Sequence, residues 1–138
     1  MSKIYVMDAC ALIAFLRKEA GGEDVKTILK NANAGIIRIR MNNINLLEVY
    51  YDIYRSVGKE KAVEELEMLK KLPIEFQVNL SGEVFEEAGR LKASYKISLA
   101  DSIALAEASV SGGALLTSDH HEFDTIEKQE KIKIQWIR

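Results

Sequence analysis

The apolar run from Ile4 to Met7 leads directly into Asp8, and beyond it Ala11, Leu12, Phe15 and Leu16 recur at helical spacing. A strand, an acid and a helix follow in that order. Gly21-Gly22 ends the helix, and Glu23-Asp24 ahead of Val25, Ile28 and Leu29 opens a second one that stops near Gly35. Ile37, Ile39 and Met41 alternate with Arg38 and Arg40, the period of a second strand. Asn42, Asn43 and Asn45 punctuate. From Ile44, the positions Leu47, Tyr51 and Tyr54, with Leu46, Tyr50, Ile53 and Val57, form a broad helical stripe that breaks at Gly58. Val63, Leu66 and Leu69 mark a further helix running towards Pro73.

Residues 74–78 alternate as a third strand, with the only proline just before it, where a missing N–H is tolerated. Asn79 or Ser81 caps a helix carrying Val84, Phe85, Ala88 and Leu91, and an alanine-rich helix runs from Ser98 to Gly112-Gly113. Residues 114–117 form a fourth strand leading to Asp119, and residues 131–136 alternate as a fifth. Strands separated by helices imply parallel pairing, because parallel neighbours need long crossovers. The expected fold is a three-layer α/β/α domain, residues 1–138, with a mainly parallel sheet of about five strands.

Composition adds little to this picture but removes several alternatives. The 48% hydrophobic and 29% charged content of the 138 residues is that of an ordinary globular chain. No apolar run approaches a membrane span and no secretory signal is evident, so a cytoplasmic location with no membrane partner is expected. Cys10 is the only cysteine, which rules out an internal disulfide and a cysteine-rich zinc site. With 19 Lys plus Arg against 21 Asp plus Glu, no global basic field advertises a nucleic-acid partner.

The placement of the acids carries the chemistry. Ligands of open parallel sheets bind outside the carboxyl ends of the strands. Asp8 and Asp119 follow strands, whereas Glu48 and Asp101 lie near the starts of helices that leave from, or return from, that same edge. Each has an ordinary alternative: Asn45-x-x-Glu48 and Ser98-x-x-Asp101 read as capping boxes, and Asp8 and Asp119 as helix N-caps. Four converging carboxylates would nevertheless repel one another without a counter-charge. All-oxygen ligands favour Mg²⁺ or Mn²⁺ over zinc, and such ions activate water for phosphodiester hydrolysis.

On the segments from Val6 to Ile13, Asn45 to Glu48, Leu99 to Ala104 and Leu115 to Asp119, the chain resembles the PIN-domain nucleases, and within them the VapC-like toxins of prokaryotic toxin–antitoxin pairs. The resemblance implies that Asp8, Glu48, Asp101 and Asp119 hold Mg²⁺ or Mn²⁺ and act in catalysis. A metal-bound water would attack RNA, leaving a 5′-phosphate and a 3′-hydroxyl. It also implies a homodimer and an inhibitory antitoxin. The chain departs from the family pattern at Cys10, where Ser, Thr or Asn is frequent, and in placing one extra residue between Asp119 and Phe123.

Thr117 and Asp124 are possible supporting residues; β propensity accounts equally well for Thr117, and a surface turn better for Asp124. His120 and His121 read as solvated residues of a rim loop, Arg38 and Arg40 as exposed strand positions, and Tyr50, Tyr51 and Tyr54 as core or subunit-interface residues. Two rival functions stand beside the nuclease. One is a PIN-fold binding or scaffolding module without activity; the other is a phosphatase of the haloacid type, which would want an acid where Cys10 stands.

Overall fold

The computed structural model describes residues 3–138. In chain order the elements are β1 (Lys3–Met7), α1 (Ala9–Leu16), α2 (Gly22–Asn33), β2 (Ile37–Asn42), α3 (Asn43–Val57), α4 (Lys59–Leu69), β3 (Glu75–Gln77), α5 (Gly82–Ser94), α6 (Leu99–Ser111), β4 (Ala114–Thr117), α7 (His120–Gln129) and β5 (Lys133–Trp136). The five strands form one sheet in the order β3-β2-β1-β4-β5, parallel at every pairing.

Strand alternation divides the core. Met7 and Leu116 enter a cluster with residues of α1 to α4, and Val6 and Leu115 enter a second cluster with residues of α5 to α7. One face of the sheet is thus covered by the first four helices and the other by the last three, the three-layer α/β/α arrangement expected from the sequence. Small residues make the central helices fit closely. Eight of the thirteen residues of α6 are buried, four of them alanine, and this helix packs on both β1 and β2.

The strand order creates a switch point. From β1 the chain moves outward to β2, and from β4 it moves outward in the other direction to β5, so the loops leaving these adjacent strands part and open a crevice at the carboxyl edge. Asp8 N-caps α1 immediately after β1, and Asp119 N-caps α7 after β4. Because β4 is parallel to β1, α6 must begin on this edge as well, which establishes the direction on which the placement of Asp101 depended.

Three expectations are corrected. The stretch after Asp119, read as a rim loop, is the first turn of α7: Asp119 Oδ1 accepts from the Glu122 amide at 3.2 Å, while Phe123 and Ile126 are buried at helical spacing. Asp124 is accordingly a helical rather than a turn residue. The proposed Asn45-x-x-Glu48 capping box does not form, because Asn42 caps α3 by accepting from the Ile44 amide, and Asn45 lies buried inside the helix. Finally, α1 stops at Leu16, several residues before the glycines. Gly21 and Gly22 serve a close approach instead: a Cβ would lie 2.6 Å from the Ile137 carbonyl oxygen at the first and 2.5 Å from that of Ala14 at the second.

Candidate metal centre at the carboxyl edge

Asp8 is the deepest of the acids, only 2% exposed. Its Oδ1 caps α1 by accepting from the Ala11 amide at 3.0 Å, whereas its Oδ2 is buried without a hydrogen-bond partner among the described residues. Burial raises the Asp8 carboxyl from 3.8 to about 7; Thr117 and the Ala11 amide oppose that rise, and the charges of Asp101 and Asp119 add to it. A buried anion with a free oxygen is costly unless a cation meets it.

The charges of Asp101 and Asp119 act on this position, and those of Glu122 and Glu48 act in turn on Asp101. Asp101 stands in the first turn of α6, where Ser98 Oγ accepts from its amide at 3.1 Å, so this capping interaction does form. Burial pushes Asp101 up to about 6, with the charges of Asp119, Glu122 and Glu48 contributing. Glu48, in the second turn of α3, is also raised by burial, an effect the Asn45 side chain partly offsets. Asp119 is half-buried, and its amide donates to Thr117 Oγ1 at 3.1 Å. Thr117, which accepts that bond, is itself fully buried at the end of β4.

The tightest grouping differs from the expected four. Asp101, Asp119 and Glu122 each present an oxygen, all within 4.8 Å of one another. Glu122 was not anticipated, although Asp119-x-x-Glu122 has the spacing of a helix-start signature. Asn45 was also overlooked. Its Nδ2 donates to the Ala100 carbonyl at 3.1 Å, joining the helix of Glu48 to that of Asp101. At the end of β2, the Asn42 amide donates to the buried Glu107 at 3.2 Å, a second tie between the sheet and α6.

These residues fit a hard divalent cation. The donors are carboxylate oxygens, one of them buried and unpartnered, and the local charge is uniformly negative. Cys10 shares the neighbourhood, but burial first, and then Asp8, Asp119, Asp101 and Glu48, push its thiol up to about 12. In the metal-free chain it stays a neutral thiol at ordinary pH. Of the remaining candidates, His120 and Asp124 pair with each other at 2.9 Å, and Arg38 makes a bidentate pair with Glu75 at 2.8 and 2.7 Å. Arg40 lies 3.8 Å from the same glutamate. Tyr50 packs against the core, whereas Tyr51 and Tyr54 are exposed.

Fold and site together define a parallel α/β domain with carboxylates gathered at its switch point. The PIN domain family model matches residues 5–129, and the chain belongs to that family. No curated protein matches it in sequence. Among solved structures, the DNA-bound VapBC of Salmonella typhimurium matches with a TM-score of 0.74 at 17% identity, covering 100% of both chains. VapBC2 of Rickettsia felis, bound to a DNA fragment from its promoter, matches at 0.70 and 16% identity over 96% of this chain and 97% of the other. The sarcin-ricin loop cleaving toxin VapC20 of Mycobacterium tuberculosis matches at 0.60 and 15% identity, over 82% and 87%. At these identities the likeness is one of fold.

Proposed function

We propose that this chain, as one PIN-like domain over residues 1–138, is a metal-dependent endoribonuclease and the toxin of a toxin–antitoxin pair. The single observation that carries the reading is the buried, unpartnered Asp8 Oδ2 among other carboxylates, which calls for a cation at that point. PIN-family membership and the fold shared with a sarcin-ricin loop cleaving toxin support RNA as the substrate, and the VapBC matches support an antitoxin partner. The exposed Leu47, Tyr51 and Tyr54 on one side of α3 suit a subunit interface and favour a homodimer. No helix among the described residues is long and apolar enough to cross a membrane, and the site of action proposed is the cytoplasm.

Asp8, Glu48, Asp101 and Asp119, joined by Glu122, would hold Mg²⁺ or Mn²⁺. The ion would supply positive charge that acidifies a water and offsets charge developing on the phosphate. The protein's own contribution is to hold these oxygens in place before substrate arrives. The Ala11 amide restrains Asp8 Oδ1, Ser98 Oγ holds the Asp101 backbone amide at the start of α6, and the Asp119 carboxylate is fixed by the Glu122 amide. With no cation, this rim repels a phosphodiester.

The test is incubation of wild type, Asp8→Asn and Asp101→Asn with structured RNA in Mg²⁺ or Mn²⁺, against an EDTA control. Cleavage is expected from wild type alone and only with metal. Equal cleavage by the variants, or none by wild type, would overturn the nuclease reading, and the second result would favour a binding module.

A further inference from the structure

The sequence around His120 was not absorbed by the site, yet it lies where the second half of the rim is anchored. His120 is the first residue of α7, immediately after Asp119 and two before Glu122. Its ring stacks on Trp136 at the end of β5, with centroids 3.8 Å apart and planes 11° from parallel. Nδ1 lies 2.9 Å from Asp124 Oδ1, and Nε2 lies 2.8 Å from the Arg138 carbonyl oxygen. The imidazole is thus held on three sides, by its own helix, by the indole and by the backbone beyond β5.

That backbone is itself anchored. The Ile137 amide donates to the Thr117 carbonyl at 3.1 Å, and the Arg138 guanidinium donates to the Ala20 carbonyl at 3.1 Å. Trp136 Nε1 donates to Glu127 Oε2 on α7 at 3.1 Å. Segment 136–138 therefore touches the end of β4, the turn before α2 and two turns of α7. By contrast, the amide bonds from Asp119 to Thr117 and from Glu122 to Asp119 span only two and three residues. Such local bonds orient the acids relative to α7 but do not settle where α7 sits against the sheet.

We infer that His120, through its stack on Trp136 and its bond to the Arg138 carbonyl, is a positioning residue that holds Asp119 and Glu122 in register with Asp101. This inference rests on the metal-site reading above. Ligand-orienting contacts of this kind usually change metal affinity by about 10- to 100-fold.

The experiment uses the full chain and manganese alone, with free Mn²⁺ followed by electron paramagnetic resonance, alongside amide hydrogen exchange. In His120→Ala and Trp136→Ala, exchange at the Glu122 and Phe123 amides is expected to rise by about 10-fold and Mn²⁺ affinity to fall by about 10-fold. Exchange in β1 and α6 should stay at the wild-type level. Trp136→Tyr, which keeps an aromatic face under the imidazole, should recover most of the affinity. His120→Asn serves as a second variant should His120→Ala lower folding stability. Unchanged exchange at Glu122, or faster exchange with intact Mn²⁺ affinity, overturns the inference. Absence of Mn²⁺ binding by wild type overturns the metal-site reading, and that result is obtained before any variant is compared.

Discussion

The two sides of the acidic rim are built differently. Asp8 sits at the centre of the sheet, buried and fixed by the first turn of α1, with its carboxyl raised to about 7. Asp119 and Glu122 sit at the start of α7, half-buried, on a helix held by the buried Phe123 and Ile126 and, at its first turn, by contacts with segment 136–138. The first arrangement is rigid and electrostatically costly; the second is cheaper but relies on how one helix is held. Under the proposed metal-site reading, one firmly held acid and one adjustable acid would let a bound cation also admit substrate.

The contrast can be broken most forcefully from the α7 side. Phe123 is fully buried and anchors that helix. Phe123→Ala should cost about 3–5 kcal/mol in denaturant unfolding and weaken Mn²⁺ binding, whereas Asp8 should keep its protected Ala11 amide. If the Ala11 amide loses protection to the same extent, the two sides are one cooperative unit and the distinction fails.

On the Asp8 side the sign reverses. Asn can still accept from the Ala11 amide but carries no buried charge. Asp8→Asn should therefore stabilise the metal-free chain at pH 8 by about 2 kcal/mol, seen as a higher Tm, while abolishing metal affinity. Asp119→Asn should move the Tm by less than about 1 kcal/mol equivalent, since its site is half-exposed. Equal shifts in both variants would remove the comparison.

The same asymmetry predicts an unusual pH dependence. Between 3.8 and about 7, the folded chain retains a proton on Asp8 that the unfolded chain has lost, and Asp101 behaves likewise up to about 6. Metal-free stability should therefore fall as pH rises from about 4 to 7, and His120, raised from 6.5 by the Arg138 backbone and Asp124, acts in the same sense above that range. The ion-paired Glu75, Glu87 and Glu130 are shifted down and act in the opposite sense, but below 4.5, where their contribution is lost as pH falls. Thermal unfolding in EDTA across this range is the measurement, and a rise in Tm from pH 5 to 7 in wild type contradicts it. Saturating Mn²⁺ should flatten the slope.

Smaller effects sharpen the boundary of the site. Glu122→Gln should weaken Mn²⁺ binding by about 10-fold, less than the loss in Asp101→Asn. Arg38→Ala breaks an exposed pair with Glu75, far along the sheet from the acids, and should leave both stability and metal affinity close to the wild-type level. A large loss of affinity in Arg38→Ala would mean that the basic strand face belongs to the site.

Most of the scaffold could be read from periodicity alone. All five strands and the first six helices were legible because each shows an apolar repeat of two or 3.6 or, in β1 and β4, a short continuous apolar run leading to an acid. The seventh helix was missed because His120, His121, Glu122 and Asp124 present a polar start in which only Phe123 and Ile126 show the period. With α7 went Glu122, although Asp119 had been read both as a helix N-cap and as a member of the acidic rim. Asn45 escaped for a different reason: an asparagine in a polar run looks like a turn residue until a partner 55 residues away is seen accepting its hydrogen bond.

What the sequence determined by itself was local: strand, acid and helix in order, and a mainly parallel sheet implied by alternating elements, from which four carboxylates were expected on one edge. Burial periodicity and chain direction suffice for these, since both are properties of neighbouring residues. The tertiary structure alone decided which acids approach within 4.8 Å, which carboxyl oxygen is left unpartnered, and what pins the Asp119 side to the sheet. Those outcomes depend on the packing of α3, α6, α7 and β5 around a switch point. Contacts between residues far apart in the chain leave no periodic trace within any one segment.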